Sequence, residues 1–155
     1  MWLAGFTSGE GCFHVSLKST PRSKLGKKVG LTFVFGLHIR KELIIIYITS
    51  YFNMVITQEK KGLGCDNCYK ISKYANSFIY YTKDKKVVRF HVNNFSVIQE
   101  IIIPFFLKYP IEGKKRLDLL DFIKSGEIIK KKEQLTEKGL IKIIQIREGM
   151  NSKRK

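Results

Sequence analysis

The chain has 155 residues, of which 44% are hydrophobic and 12% aromatic, and this content excludes an intrinsically disordered protein. Its 29 lysines and arginines outnumber 13 acidic residues, so a formal charge of +16 favours a polyanionic partner that offsets the self-repulsion. Nucleic acid is the first candidate; we expect no membrane partner, because every apolar run is far shorter than the roughly 18 residues that span a bilayer.

The first predicted element is a helix that ends near Glu10. One side of it holds only small residues, and two of them are glycines, each of which costs about 1 kcal/mol in a helix interior relative to alanine. Such a side favours close approach by a second backbone. Glu10 lies where the helix dipole disfavours a carboxylate, which suggests that it holds a cation. The small-residue stripe consists of Ala4, Gly5, Ser8 and Gly9.

Two strands joined by a basic loop are predicted next. Phe13, Val15 and Leu17 alternate with polar residues, and a second alternating run covers residues 31–39. The loop between them, residues 20–30, contains four basic residues and two glycines. No acidic residue occurs from 11 to 41, so this part of the sheet suits a phosphate backbone and base edges.

The remaining pattern predicts helices and two shorter strands. Residues 41–52 have helical periodicity, whereas residues 67–74 and 85–92 alternate like strands. Ser96 is a candidate cap of a further helix that runs to about Leu107. Pro104 falls inside this helix and is predicted to bend it or end it early. A further helix reaches Ile123, and residues 135–139 open a last one. The expected fold class is α+β, a sheet backed by helices.

Leu3 to Gly11 resembles, in register, the nine-residue signature of the LAGLIDADG homing endonucleases, with Glu10 at the position of its metal-binding acid. The resemblance implies one αββαββα unit with an antiparallel four-stranded saddle sheet. The single domain 1–155 would then comprise a signature helix (1–11), sheet and packing helices (12–107) and a basic helical C-terminal segment (108–155). That last segment resembles the C-terminal part of fungal mitochondrial members.

The resemblance also implies an activity: a metal-dependent double-strand break at a long, nearly palindromic DNA site. Mg²⁺ would be the cofactor, held by Glu10, the only acid in the first 41 residues, and by the backbone carbonyl of Gly9. Lys114 or Lys115 would stabilise the charge that develops on the scissile phosphate. Sequence alone does not choose between these two lysines.

Double-stranded DNA would be bound by the polar face of the sheet and the loop beside it, where a two-stranded ribbon can enter the major groove. The candidate DNA-binding residues are His14, Ser16, Lys18, Arg22, Lys24, Lys27, Lys28, Thr32, Val34, His38, Arg40, Lys70, Ser72, Arg89 and His91.

One signature helix provides one acid, whereas cutting two strands requires two. The chain would therefore pair with a second unit through the small-residue stripe, either as a homodimer or as the detached half of a two-motif protein, and both remain open. One position departs from the family: many members have a glutamine where Leu37 stands, which predicts weakened catalysis.

Other functions compete with the nuclease, and one of them is a transcriptional regulator built on the same scaffold. An intron RNA maturase, or a catalytically inactive relative that binds DNA or RNA, fits the basic and aromatic composition equally well. Alanine occurs only at positions 4 and 75, a bias typical of AT-rich coding sequence. Together with the resemblance, this bias predicts an organellar, mitochondrial origin.

Overall fold

The computed structural model describes residues 2–21, 25–61 and 79–153, and for residues 55–61 and 153 it describes the backbone alone. The first six elements are α1 (Trp2–Glu10), β1 (Gly11–Ser19), β2 (Lys27–His38), α2 (Glu42–Lys61), β3 (Ile79–Tyr81) and β4 (Val87–Val92). They are followed by α3 (95–108), α4 (Lys114–Lys130) and α5 (Glu137–Glu148). Short 3₁₀ turns occupy Ile39–Lys41, Glu133–Leu135 and Asn151–Lys153.

The strands form one antiparallel four-stranded sheet in the order β1-β2-β4-β3. The family resemblance implies such a sheet, whereas β3 at Ile79–Tyr81 was not among the predicted strands. The buried face of the sheet is lined by aromatic rings that neighbour each other across the strands: Phe13 pairs with Phe33, and Phe35 pairs with Phe90. The Phe13 and Phe33 rings stack with centroids 5.0 Å apart. Further rings from the helices complete the core, namely Phe52, Phe106 and Phe122, all of them buried.

The predicted alternation of β1, β2 and β4 is confirmed, but the loop between the first two strands is shorter than predicted. Residues 27–30 belong to β2, because Lys27 pairs with Ser19 and Gly30 with Ser16 across the hairpin. Strand pairing therefore overrides the local preference of glycine for turns. The strand predicted for 67–74 lies outside the described residues.

For α3 the predicted cap and an early end at Pro104 were wrong, whereas the alternative that Pro104 bends the helix stays a prediction. Its cap is Asn94, whose Oδ1 accepts hydrogen bonds from the backbone N–H groups of Ser96 and Val97 at 3.0 and 3.3 Å. Pro104 does not end the helix, which continues to Lys108 after a π-helical stretch at Ile98–Ile102. Pro104 lies in the first turn of the next α-helical segment, where its missing N–H is not required.

The helix predicted to reach Ile123 continues as α4 to Lys130. Ser125 and Gly126 near its end are buried, and a Cβ at Gly126 would lie 2.3 Å from Nε2 of Gln99. This glycine therefore makes room for α3 and does not break the helix. Within the described ranges, no helix has both the length and the hydropathy needed to cross a bilayer.

The junction of α1 and β1 depends on Gly11. A Cβ there would lie 2.5 Å from Thr7 Cγ2 and 2.8 Å from the Thr7 carbonyl oxygen. Thr7 cannot move easily, since it is buried and its Oγ1 donates to the Leu3 carbonyl at 2.7 Å. Glu10 is therefore fixed between a helix and a strand whose packing leaves no space for a side chain at position 11.

Gly11→Ala should lower the free energy of unfolding by roughly 1–3 kcal/mol, because the added methyl group overpacks the junction. Gly36→Ala is the matched control, since its Cβ would meet only the Arg89 side chain at 3.8 Å. Urea denaturation of both variants measures the difference. Equal stabilities would show that the junction relaxes freely.

Candidate nucleic-acid interface

The polar face of the sheet forms an open groove of about 670 Å³, called the sheet groove below. Glu10 lies in its lining, and the strands β1, β2 and β4 supply most of the remainder. The lining residues are Glu10, Cys12, His14, Ser16, Lys18, Lys28, Val29, Gly30, Leu31, Thr32, Val34, Gly36, Arg89, His91 and Asn93.

The sequence predicted most of the sheet side chains in this groove. The structure brings together His14, Ser16, Lys18, Lys28, Thr32, Val34, Arg89 and His91. Lys27, His38 and Arg40 are exposed but lie outside the groove lining, at or beyond the ends of β2. Arg22, Lys24, Lys70 and Ser72 lie outside the described residues.

The electrostatics of the groove favour a polyanion. Lys18, Lys28 and Arg89 are basic, whereas Glu10 is its one acidic lining residue within the described ranges. Burial lowers the pKa of His91, and the charges of Arg89 and Lys18 lower it further. Nδ1 of His91 has no hydrogen-bond partner among the described residues. The groove thus holds an unpaired ring nitrogen surrounded by positive charge.

His14 shows the same behaviour at β1. Burial lowers its pKa, and Arg147 of α5 lowers it further. The effect identifies a basic residue near the groove that the local sequence pattern could not find, because Arg147 is 133 positions away in a helix. Cys12 could have been found from its alternation with His14 and Ser16, and Asn93 from its position directly after β4.

Glu10 ends α1, and its side chain is exposed. It makes no hydrogen bond or ion pair within the part of the chain that the structure describes. Gly9 beside it is exposed and belongs to the last turn, whose carbonyl groups have no intrahelical partner. A carboxylate and carbonyl oxygens are therefore available to a cation at the end of the groove.

These oxygens suit a hard cation that is also coordinated by waters or substrate phosphates. The described residues contain no group of three or more His, Cys, Asp or Glu side chains placed to hold a metal. Mg²⁺ is commonly bound by one or two carboxylates together with substrate phosphates and waters. The donor set at Glu10 fits that pattern, with the remaining ligands supplied from outside this chain.

The two candidate lysines begin α4 and differ in their surroundings. Lys114 is exposed, whereas the Lys115 side chain is 21% exposed and its Nζ lies 3.8 Å from Asp118 Oδ2. The positive charge of Lys115 also acts on the groove residue Cys12, where it opposes the burial that raises the pKa of the thiol. Asp118 also accepts a hydrogen bond from the N–H of Asn151, whose Oδ1 accepts from Cys12, so a path of contacts runs from Lys115 to the groove lining.

Leu37 belongs to the core. Its side chain is 5% exposed and lies on the same face of β2 as Phe33 and Phe35. A side chain at this position faces away from the sheet groove. The weakened catalysis expected from the departure at position 37 stays a prediction.

The small-residue stripe of α1 is largely bare. Gly5 and Gly9 are exposed, and an added Cβ at either would meet no atom of the described residues within 4 Å. Ser8 is half-buried and donates to the Ala4 carbonyl at 3.2 Å. Ala4 is 5% exposed and already covered by its own chain. The surface that remains for another backbone consists of Gly5, Ser8 and Gly9.

A family model described as LAGLIDADG endonuclease matches residues 3–76 and 64–125. The chain is 34% identical over 149 residues to the probable intron-encoded endonuclease 2 of Neurospora crassa, covering 96% of this chain and 26% of that protein. It is 29% identical over 128 residues to the probable intron-encoded endonuclease Cox1-I1b of Schizosaccharomyces pombe, covering 83% of this chain and 27% of that protein.

Solved structures show the same similarity. The LAGLIDADG homing endonuclease I-LtrWI, bound to target DNA, superposes with a TM-score of 0.81 at 36% identity and covers 99% of this chain and 44% of its own. The LAGLIDADG homing endonuclease I-SmaMI, bound to cleaved DNA, superposes with a TM-score of 0.80 at 34% identity, and the match covers 99% of this chain and 44% of that chain. The chain thus spans about a quarter of these curated relatives and less than half of these solved ones.

The lowered pKa values of His14 and His91 predict a stability that depends on pH. The folded state binds fewer protons than the unfolded chain, so stability is full above about pH 6.5 and is lost as the pH falls through the lowered values. The double variant His14→Gln, His91→Gln should lose less stability between pH 7.5 and pH 5.5, measured by urea denaturation. A loss equal to that of the parent chain would contradict the assignment.

Proposed function

Because the chain belongs to the LAGLIDADG endonuclease family, we propose that it cleaves double-stranded DNA at a long, nearly palindromic site. Cleavage would use a divalent metal ion and a second unit of the same kind. The observation that supports the proposal most directly is the position of Glu10. Its exposed carboxylate lies in the lining of a groove whose other charged groups are basic.

The sheet groove is the proposed DNA-binding surface. Lys18, Lys28 and Arg89 would contact phosphates, and the side chains between them would meet base edges in the major groove. His14 and His91 offer ring nitrogens for such contacts. The opposite face of the sheet is filled by buried aromatic rings, so only this face is free to bind a duplex.

Glu10 and the Gly9 carbonyl would hold the metal ion, for which Mg²⁺ is the proposed identity. When bound, such an ion stabilises the attacking and leaving oxygens of phosphodiester hydrolysis. Lys115 would place an ammonium group against the phosphate, where negative charge develops. Lys115 is favoured over Lys114 for this role, because its partner Asp118 is joined through Asn151 to Cys12, two residues after Glu10.

A second unit is required because each chain provides a single Glu10. Gly5 and Gly9 leave space on α1 for a second helix, and the partner is either another copy of this chain or the rest of a longer protein. The coverage of less than half of the solved relatives is compatible with both. Measuring the molar mass in solution, with and without DNA, distinguishes a homodimer from a unit that stays alone.

The relatives also support a proposed origin. They are probable intron-encoded endonucleases of fungi. Alanine at only two positions is consistent with an AT-rich organellar gene, and we place the protein in the mitochondrion on these two grounds.

Incubation with a randomised duplex library and Mg²⁺ should yield discrete cleavage sites. Glu10→Gln should lower the cleavage rate roughly 100-fold or more while DNA binding is retained, because the amide keeps the size but not the charge of the metal-binding group. Glu148→Gln, which neutralises an exposed acid on α5, is the charge-matched control. Undiminished cleavage by Glu10→Gln would remove Glu10 from the mechanism, and binding without any cleavage by the parent chain would favour an inactive relative or an RNA maturase.

Gly5→Leu tests the proposed pairing surface. The chain should stay folded, since nothing lies within 4 Å of the added Cβ, yet double-strand cleavage should be lost because the side chain keeps the second helix away. Circular dichroism and sedimentation measure folding and association. Lys138→Leu, which places the same side chain at an exposed position of α5, should preserve both. Full cleavage by Gly5→Leu would exclude this face as the contact.

A further inference from the structure

The C-terminal end of the described chain returns to the strand beside Glu10. Asn151, which follows α5, donates from Nδ2 to the Phe13 carbonyl at 2.9 Å. Its Oδ1 accepts from the Cys12 thiol at 3.5 Å. These bonds join the last turn of the chain to the second and third residues after Glu10. A residue 141 positions from the proposed metal ligand therefore helps to fix the start of β1.

The backbone of Asn151 makes a third contact, to α4. Its N–H donates to Asp118 Oδ1 at 2.9 Å. Asp118 is 3% exposed, and its Oδ2 lies 3.8 Å from Lys115 Nζ. A buried carboxylate costs free energy that a single ion pair rarely repays, so an arrangement of this kind is weak evidence for stability alone. The Asp118 carboxylate has a second role if it holds the Lys115 side chain in position.

Lys115 differs from another lysine of the same helix. Lys124 pairs with Asp121 at the same spacing and a shorter distance, 3.3 Å, but its side chain is 66% exposed. The Lys115 side chain is 21% exposed, and its partner Asp118 is joined through Asn151 to Cys12 in the lining of the sheet groove. An ion pair three residues along the helix is thus not sufficient to place an ammonium group beside the groove. The buried carboxylate, held by Asn151, is what distinguishes the first pair.

We propose that Asp118 and Asn151 are positioning residues, which together hold the Lys115 ammonium group at the Glu10 end of the sheet groove for the cleavage step. The inference rests on the proposed function. A free lysine side chain loses rotamer entropy when it is fixed. Asp118 imposes that order before DNA binds, so the ammonium group is already in place for the phosphate.

The identity of Asn151 suits this role. Its φ of 56° lies in the left-handed region, which asparagine and glycine adopt at low cost. Glycine at this position would keep the backbone conformation and the N–H bond to Asp118, but it would lack both side-chain bonds to β1. Asn151→Gly therefore removes the link between α4 and β1 without straining the turn.

The test uses the full chain and a duplex selected from the library, with cleavage measured in single turnover at saturating DNA. Asp118→Asn keeps an acceptor for the Asn151 N–H and removes the charge that pairs with Lys115. We expect Asp118→Asn and Asn151→Gly to cut roughly 10- to 100-fold more slowly with DNA affinity retained. Asp121→Asn, the matched control at the pair with Lys124, should cut at the parent rate.

A second readout follows Lys115 directly, without cleavage. The NMR order parameter of its Nζ group should be high in the parent chain and in Asp121→Asn, and it should fall in Asp118→Asn and Asn151→Gly. Parent rates together with an ordered Lys115 in both variants would overturn the proposal. Should Asp118→Asn fail to fold, Asn151→Gly decides by both measurements.

Failure of the two proposals can be told apart. If the parent chain cuts no duplex, the proposed function fails, while the order parameter still shows whether Asp118 and Asn151 hold Lys115. If the parent chain cuts and the variants cut equally well, only the positioning role is wrong.

Discussion

The arrangement of the whole molecule depends on the strict alternation of side chains across one sheet. Because successive residues point to opposite faces, Phe13, Val15 and Leu31 are buried while His14, Ser16 and Thr32 face the groove. A shift of one residue in the pairing of β1 and β2 would exchange the two sets. Burial of aromatic rings on one face therefore determines which side chains are available to a nucleic acid on the other.

The junction of α1 and β1 joins this sheet to the proposed chemistry. Gly11 packs against Thr7, and this contact determines where Glu10 leaves the helix. Gly5 and Gly9 on the same helix are left uncovered by the residues that the structure describes. Two features of the nine-residue helix α1 are unfavourable for helix stability: the carboxylate at its C-terminus and its glycines. The carboxylate belongs to the surface to which we assign metal binding, and the glycines belong to the surface to which we assign pairing.

Much of this fold could be predicted from sequence, because β1, β2 and β4 each show the two-residue period of a half-buried strand. The same period identified His14, Ser16, Thr32 and His91 as groove residues. The cap at Asn94 was missed because Ser96 is an equally good capping residue, and only the backbone conformation distinguishes them. Gly126 suggests a helix end until the packing of Gln99 against it is known.

The contacts around Asn151 lay beyond any pattern in the sequence. They join residues 12, 118 and 151, and no local period connects positions so far apart. For the same reason the sequence left Lys114 and Lys115 as equal alternatives. In the structure Lys114 is exposed, whereas Lys115 is less exposed and pairs with Asp118.

One face of the sheet forms the core and the other forms the sheet groove, and this separation affects how such a protein can evolve. Side chains in the sheet groove contribute little to the aromatic core, so many of them can be replaced at small cost in folding free energy. Target preference can therefore drift, or be altered by engineering, while the scaffold persists. A one-sided sheet is in this sense a surface on which new specificities can evolve.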